Sequence, residues 1–189
     1  MRIVGGKFRG RPLAAPDTEA TRPTSDRVRE AVFNILAHAI DGFSIEGARV
    51  LDLFAGTGAL GVEALSRGAV YCLFVEEDAD ARGVIRRNIE ALQLTGTTKV
   101  FRRDATSLGP ASSREAFNLV FLDPPYGKGL AERALASAAA GHWLAPGAIA
   151  VIEDRKGATI ALPPGFALLD QRTWGDTHVL FARLAASAP

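Results

Sequence analysis

The chain has 189 residues, of which 48% are hydrophobic and 23% are charged, the balance of one soluble globular domain. Its apolar runs are too short to span a bilayer, and Lys7, Arg9 and Arg11 interrupt the first stretch before the apolar segment of a signal peptide develops. A single cysteine, Cys72, excludes an internal disulfide and a cysteine-rich metal site, so we expect a cytoplasmic protein.

The start of the chain is basic. Residues 1–29 carry seven basic residues against three acidic ones, a local charge of +4, whereas the remainder carries fifteen against eighteen. A basic segment on a mildly acidic body indicates a polyanionic partner such as a nucleic acid. Four residues are the candidate contacts: Lys7, Arg9, Arg11 and Arg22. An ordinary solvated surface would explain the charge equally well.

The first 45 residues are predicted to form an N-terminal extension packed on a core of residues 46–189. Residues 1–12 should form a short basic hairpin whose tight turn is made by Gly5 and Gly6. Residues 14–23 contain two prolines and indicate an irregular connector.

A helix is predicted to begin next, since Thr24 or Ser25 can cap it and Asp26 suits its first turn. Apolar residues at helical spacing should form its buried face: Val28, Val32, Ile35 and Ala39.

After Gly47 short apolar runs alternate with helical stretches. The predicted strands are 49–54, 71–75, 98–102, 117–122 and 148–152, and the predicted helices are about 59–67, 79–93 and 129–141. Such alternation indicates a doubly wound α/β fold with a mostly parallel sheet, which binds ligands at the carboxyl ends of its strands. Residues 166–172 and 177–184 should add a closing antiparallel hairpin.

A glycine-rich turn follows the first of these strands. Gly56, Gly58 and Gly61 satisfy the pattern G-x-G-x-x-G, and Glu76 lies 20 residues beyond Gly56. Glycines at a strand-to-helix turn let the backbone approach a ligand closely. The pattern alone does not separate a dinucleotide from S-adenosylmethionine, and a purely structural turn is a further alternative.

Charge favours S-adenosylmethionine. Asp52 lies beside the turn, where its carboxylate would repel a pyrophosphate but suits the sulfonium and ammonium groups of S-adenosylmethionine. Glu76, at the end of the second strand, can accept hydrogen bonds from both ribose hydroxyls, and Asp104, after the third strand, from the adenine amine. We also place Phe54 of the turn at the cofactor, although an ordinary loop carboxylate is the commoner explanation for Asp104.

The tetrapeptide Asp123-Pro124-Pro125-Tyr126 follows the fourth strand. The Asp123 carboxylate and the Pro124 carbonyl could accept both hydrogens of a base amine, turn the nitrogen lone pair towards a methyl donor and stabilise developing positive charge. Tyr126 could stack on a base that has left its helix. A proline turn with a core tyrosine is the alternative, which the glycine turn and Glu76 make improbable.

At this point the chain resembles the bacterial methyltransferases that modify guanine N2 in 16S ribosomal RNA. The matching stretches are RIVGGKFRGRPL at 2–13, RPTSDRVREAVFNIL at 22–36, VLDLFAGTGALGVEALSRGA at 50–69 and DPPY at 123–126. The resemblance implies a Rossmann-like S-adenosylmethionine-dependent fold with an N-terminal extension that helps to engage RNA, free or in an assembled subunit.

Three other functions remain open at this stage. The DPPY tetrapeptide also serves N6-adenine methylation of DNA or RNA. A NAD-linked oxidoreductase would explain the glycines but leave DPPY unused, and a non-catalytic RNA-binding protein would leave the glycine turn unused. The three histidines are widely spaced and give no metal-ligand pattern. As for the oligomeric state, we expect a monomer.

Overall fold

A single seven-stranded sheet organises the computed structural model, which describes residues 1–15, 25–112 and 116–186. Its strands are β1 (Arg49–Leu53), β2 (Tyr71–Val75), β3 (Thr98–Phe101), β4 (Phe117–Leu122), β5 (Leu144–Arg155), β6 (Phe166–Trp174) and β7 (Thr177–Leu184). Its helices are α1 (Asp26–His38), α2 (Ala59–Ser66), α3 (Ala79–Ala91) and α4 (Leu130–Ala140). No helix in these three segments is long and apolar enough to cross a membrane.

The strands lie in the order β3-β2-β1-β4-β5-β7-β6. The first five are parallel, and β7 joins β5 and β6 in antiparallel pairs. The predicted mostly parallel sheet with a closing hairpin is therefore confirmed. Strands β2 and β3 lie on one side of β1, and β4 lies on its other side, so the order of the strands switches between β1 and β4. Folds of this kind bind their ligands at this point.

The main difference from the predicted strands is the length of β5, which begins at Leu144 rather than at residue 148. Leu144 pairs with Phe117, and the register shifts before Leu119 pairs with Ile149. Pro146 and Gly147 lie within this irregular part, and Gly147 has a positive φ of 77°. Those two residues mimic a strand boundary in the sequence, although the chain continues through them as a bulged strand.

Helices cover both faces of the sheet. Val50, Phe121 and Val151 belong to the buried cluster that α1, α2 and α3 cover. Leu51, Leu122 and Ile152, one residue further along their strands, belong to the cluster under α4. This alternation follows from the two-residue repeat of a strand, and it fixes the face on which each strand-end side chain lies.

Helix α1 is capped by Ser25, whose side chain accepts the Val28 N–H at 3.2 Å. The other predicted cap, Thr24, lies outside the described residues, as does Arg22. The predicted buried face was partly wrong, because Ile35 is only half-buried and Ala39 is exposed beyond the helix end. The buried residues are instead Val28, Arg29, Val32, Phe33 and Leu36.

The first thirteen residues form the N-terminal arm, a hairpin with a wider turn than predicted. The Ile3 N–H donates to the Arg11 carbonyl at 3.0 Å, and the Gly10 N–H donates to the Ile3 carbonyl at 2.8 Å. A 3-10 turn over Gly6–Phe8 connects the two sides. Gly6 alone of the two glycines has a positive φ, so Gly5 and Gly6 do not form the expected two-residue turn.

A buried charge cluster fastens the arm to α1 and α2. Glu63 of α2 is fully buried and accepts the Val4 N–H at 2.9 Å. Arg67 and the fully buried Arg29 of α1 lie 2.9 and 3.5 Å from the Glu63 carboxylate, and Arg29 also donates to the Arg2 carbonyl. Removing one member of such a group would leave an uncompensated buried charge. Residues 1–15 and 25–45 thus contribute to the same core as the sheet, while the division of the chain at residue 45 stays a prediction.

Candidate active site

The carboxyl edge of the sheet gathers most of the side chains that the sequence placed at a site. Leu53, the last residue of β1, is the register partner of Val75 in β2 and of Leu122 in β4. Glu76 and Asp123 each come one residue after those partners. The glycine turn, Glu76 and Asp123 therefore emerge side by side from three neighbouring strands.

The turn itself requires unusual backbone. Phe54 has a φ of 58°, which is rare for a residue with a side chain, and Gly56 and Gly58 have φ values of 55° and 77°. Helix α2 begins directly after Gly58. A Cβ atom at Gly61, in its first turn, would lie 2.5 Å from the Cys72 sulfur, so only glycine lets α2 pack this closely on β2.

Asp52 lies beneath the turn rather than beside its outer surface. It is 1% exposed, and its carboxyl accepts the Gly61 N–H at 3.0 Å. Burial raises the pKa of Asp52 to about 8; the Gly61 hydrogen bond lowers it, and the charge of Glu76 raises it further. The carboxyl holds the first turn of α2 in place, and its raised pKa favours the protonated form at neutral pH.

Glu76 joins two segments of the site. One carboxylate oxygen accepts the Gly56 N–H at 2.8 Å, and the other accepts the Asp78 N–H at 2.9 Å. Asp78 caps α3 through a bond from the Ala81 N–H at 2.8 Å. The glycine turn and the start of α3 are thereby held by a single side chain.

A small cleft opens between the ends of β1, β2 and β3. Its lining residues are Phe54, Val75, Glu76, Glu77, Arg103 and Ala105. Arg103 was not singled out from the sequence, because an arginine after a strand is indistinguishable from any exposed cation. Its guanidinium donates to the Leu108 carbonyl at 2.6 Å, which keeps it against the cleft.

Asp104 lies at the end of β3, but its contacts are local. Its Oδ1 accepts the Thr106 N–H at 2.8 Å and the Thr106 hydroxyl at 2.7 Å, and these bonds hold the pKa of the carboxyl below its usual range. Asp104 thus caps the 3-10 turn over Ala105–Ser107. A cofactor contact through this residue stays a prediction.

The Asp123 segment leaves β4 with Pro124 buried and Tyr126 exposed. Tyr126 is accessible to solvent, since 45% of this residue is exposed. Partial burial raises the pKa of Tyr126 to about 12, and the charges of Glu153 and Asp123 add to the increase. A hydrogen bond with the Thr177 side chain at the start of β7 acts in the opposite direction.

Sequence reasoning missed Glu153 and Thr177. Glu153 is only 6% exposed and follows Ile152, the register partner of Leu122, so it lies next to Asp123 at the same edge. The signal was available, since an acidic residue after the apolar run AIAVI parallels Glu76 after YCLFV. No sequence signal pointed to Thr177, because its place opposite Tyr126 depends on how the β6–β7 hairpin folds back.

The basic residues of the arm lie away from this edge. The Phe8 N–H donates to the Ser66 hydroxyl at 3.0 Å, and Arg11 donates to the Ala91 carbonyl at 3.2 Å. Ser66 and Ala91 are the last residues of α2 and α3, which both end near the amino ends of the strands. A five-residue strand separates the two edges by about 15 Å. Lys7, Arg9 and Arg11 are therefore on the opposite edge from Asp123.

Solved structures share this architecture. The structure of the candidate methyltransferase yhhF from Escherichia coli superposes on the chain with a TM-score of 0.84 at 33% identity, over 99% of each chain. Together with the strand order and the turn, this similarity defines a methyltransferase of Rossmann-like fold.

Relatives narrow the class. The ribosomal RNA small subunit methyltransferase D of Haemophilus influenzae is 35% identical over 177 residues, which cover 93% of this chain and 89% of that protein. The protein of the same name from Escherichia coli K12 is 40% identical over 154 residues, covering 82% and 74%. The model of the family described as conserved hypothetical protein 95 matches residues 1–183, and the chain belongs to this family.

Proposed function

We propose that the protein transfers a methyl group from S-adenosylmethionine to the exocyclic N2 amine of a guanine in the ribosomal RNA of the small subunit. One observation carries the proposal: the glycine turn and the Asp123 segment follow Leu53 and Leu122, which are register partners on β1 and β4. A methyl donor held by one segment would lie beside an amine held by the other, and such positioning supplies much of the acceleration of a displacement reaction.

The chemistry of the turn fits this cofactor. Gly56 and Gly58 let the backbone approach a ligand closely, and the Phe54 cleft beside them is lined by Glu76. Glu76 retains lone pairs for ribose hydroxyls beyond those used by its two backbone donors. S-adenosylmethionine would supply an activated methyl group on a positively charged sulfur, and the carboxyls of Asp52 and Glu76 suit that charge better than a pyrophosphate.

The Asp123 segment would act on the acceptor. A base amine is a poor nucleophile because its lone pair is delocalised into the ring. Hydrogen bonds to the Asp123 carboxylate and the Pro124 carbonyl would orient the amine and stabilise positive charge on nitrogen as the new N–C bond forms. The proton that the nitrogen then loses passes to the adjacent carboxylate or to water, so no side chain with a strongly shifted pKa is required.

Tyr126 would hold the base. Its exposed ring lies three residues beyond Asp123 and is fixed at its hydroxyl end by Thr177. Stacking on an aromatic ring stabilises an extruded base by about 1–3 kcal/mol and tolerates any base. The ring therefore contributes affinity, while the choice of base must come from groups that meet its edge.

Two observations support ribosomal RNA as the substrate. The relatives at 35% and 40% identity are named as small-subunit ribosomal RNA methyltransferases. The cations Lys7, Arg9 and Arg11 are exposed about 15 Å from the target side of the sheet, so they would contact phosphates of an RNA that extends beyond its target nucleotide across the protein.

Product analysis tests the proposal. Small-subunit ribosomal RNA from a deletion strain, free or in assembled subunits, would be incubated with the protein and S-adenosylmethionine labelled in the methyl group, then digested to nucleosides. We expect the label in N2-methylguanosine at one position, which fragment mapping identifies. Label in N6-methyladenosine would replace the proposed acceptor by adenine, and absence of label from both RNA forms would refute ribosomal RNA as the substrate.

A further inference from the structure

Glu153 is a buried carboxylate at the target side of the site for which the chemistry above has no use. It belongs to β5, is 6% exposed and follows the register pair Leu122–Ile152. Neighbouring parallel strands lie about 4.8 Å apart, so the Cα atoms of Glu153 and Asp123 are separated by roughly this distance. A carboxyl taken out of water at this point is costly, and such groups concentrate at functional sites.

Glu153 also shares a face of the sheet with Asp123. Phe121 and Val151, two residues earlier on their strands, both belong to the cluster on the α1 side. The alternation of side chains therefore points Asp123 and Glu153 the same way. The charges of Glu153, Asp123 and Asp154 each raise the pKa of the Tyr126 hydroxyl, so all three side chains lie near Tyr126 at this edge of the sheet.

The two base amines that a DPPY segment can present differ in their neighbours. In guanine, the N2 amine lies beside N1–H, so this part of the base edge carries only donors. In adenine, the N6 amine lies beside N1, which has a lone pair and accepts. An ionised carboxylate has only acceptors, so a second carboxylate beside the one that binds the amine attracts guanine and repels adenine.

We propose that Glu153 is the residue that selects guanine, its carboxylate accepting the N1–H while Asp123 holds the N2 amine. The inference rests on the proposed function and adds to it the group that reads the base. Adenine would leave one carboxylate facing a lone pair in a site that excludes water, where an unpaired polar group is most costly.

The test distinguishes recognition of the guanine N1–H from recognition of the N2 amine. RNAs would carry either guanine or 2-aminopurine at the position mapped above; 2-aminopurine keeps the N2 amine but has an acceptor at N1. The wild-type protein should prefer guanine in kcat/KM by about tenfold or more, as expected for a hydrogen bond to a charged group. Equal use of both bases by the wild-type protein would overturn the proposal without any variant.

The isosteric change Glu153→Gln converts one acceptor oxygen into a donor. Its amide can donate to the N1 of 2-aminopurine, so the preference for guanine should fall about tenfold or more, while the affinity for S-adenosylhomocysteine and the Tm stay as in the wild type. Glu153→Asp keeps the charge and should keep the preference at a lower rate. A preference unchanged in Glu153→Gln would overturn the proposal.

The matched control is Asp154→Asn, which removes the same charge from the next residue of β5. Asp154 alternates to the other face and accepts the Arg155 N–H at 2.6 Å. Its preference should equal that of the wild type, and an equal fall in both variants would show that charge near the site, and not contact with N1, sets the ratio. If the wild type makes no N2-methylguanosine at all, the proposed function fails; if it does and the ratio stays constant, only the role of Glu153 fails.

Discussion

The Glu76 carboxylate accepts the N–H of Gly56 at 2.8 Å, so the end of β2 holds the glycine turn that follows β1. The second oxygen is engaged by the Asp78 N–H at the start of α3. Glu76 therefore ties two loops together, and in the proposed cofactor site it would also accept hydrogen bonds from the ribose hydroxyls.

Glu76→Ala should weaken S-adenosylmethionine binding about ten- to a hundredfold, because the loss of a charged acceptor costs about 1.5–3 kcal/mol. Isothermal titration measures the change. Asp80→Ala, which removes an exposed carboxylate from the first turn of α3, is the control and should bind as the wild type does. An unchanged dissociation constant in Glu76→Ala would mean that this carboxylate serves only the turn.

Asp123→Ala should remove most of the turnover and leave cofactor affinity nearly unchanged, since Asp123 follows β4 and lies in the segment proposed to bind the acceptor base. A single-turnover methylation assay beside a titration with S-adenosylmethionine separates the two effects. Asp154→Ala provides the same loss of charge on the neighbouring strand and should retain turnover. If Asp123→Ala loses cofactor binding, Asp123 belongs to the cofactor side of the site instead.

Asp52→Asn should change how stability depends on pH. The carboxyl has a pKa of about 8 in the folded protein, and an exposed aspartate titrates near 4, so the folded state holds a proton that the unfolded state has released. The stability that this proton provides is complete below about pH 4 and is lost as the pH rises towards 8. The Asn variant still accepts the Gly61 N–H, so its Tm should fall less between pH 5 and 8.

The same variant tests the link to the cofactor. A cation bound near Asp52 favours the ionised carboxyl, so wild-type affinity for S-adenosylmethionine should rise from pH 6 to pH 8 and that of Asp52→Asn should not. Parallel pH profiles would show that the cofactor charge does not reach Asp52. Asp80→Asn, with its exposed carboxyl, controls for general effects of pH.

Tyr126→Ala should weaken productive RNA binding by about 1–3 kcal/mol if the ring stacks on the base. Tyr126→Phe keeps the ring and loses only the hydrogen bond with Thr177, so its KM for RNA should rise fivefold or less. Thr177→Val breaks the same bond from the other side and should match Tyr126→Phe. If Tyr126→Phe has a severe effect and Thr177→Val a mild one, the Tyr126 hydroxyl has a further role besides its bond with Thr177.

Replacing Lys7, Arg9 and Arg11 together by alanine should weaken RNA binding and spare cofactor binding. Each lost phosphate contact lowers the slope of log affinity against log salt by about 0.7 for single-stranded RNA, so the triple variant should lose up to about two units. If the three residues only keep the arm soluble, the Tm shifts while the salt slope stays at the wild-type value.

The strand ends were the part of the site that the sequence specified best. Glu76 and Asp123 each follow an apolar run, and a parallel sheet brings such ends to one edge without any knowledge of the helices. Features that depend on contacts between distant segments were not predictable. Arg29 looks like an exposed helix residue until Glu63, 34 positions later, is seen to neutralise it inside the fold.

The position of the arm could not be predicted from the sequence either, because it depends on contacts between distant segments. Its charge predicts a partner, but only the contacts of Phe8 and Arg11 with the ends of α2 and α3 show which edge it occupies. Glu153 illustrates the opposite case, in which the pattern was present and the boundary of the strand hid it, since β5 continues three residues beyond the predicted end.

Main-chain atoms make most of the hydrogen bonds that hold the arm and Ala14 to α2 and α3, and the buried side chains of Ile3 and Leu13 pack in the core. The N–H groups of Val4, Phe8 and Ala14 donate to side chains of α2 and α3, and the Gly5 carbonyl accepts from Ser66. These hydrogen bonds do not depend on the exposed side chains of the arm, such as Lys7 and Arg9. Substitutions at those positions can therefore change what the protein binds there while the scaffold stays intact, which makes the arm a place for engineering a new substrate preference.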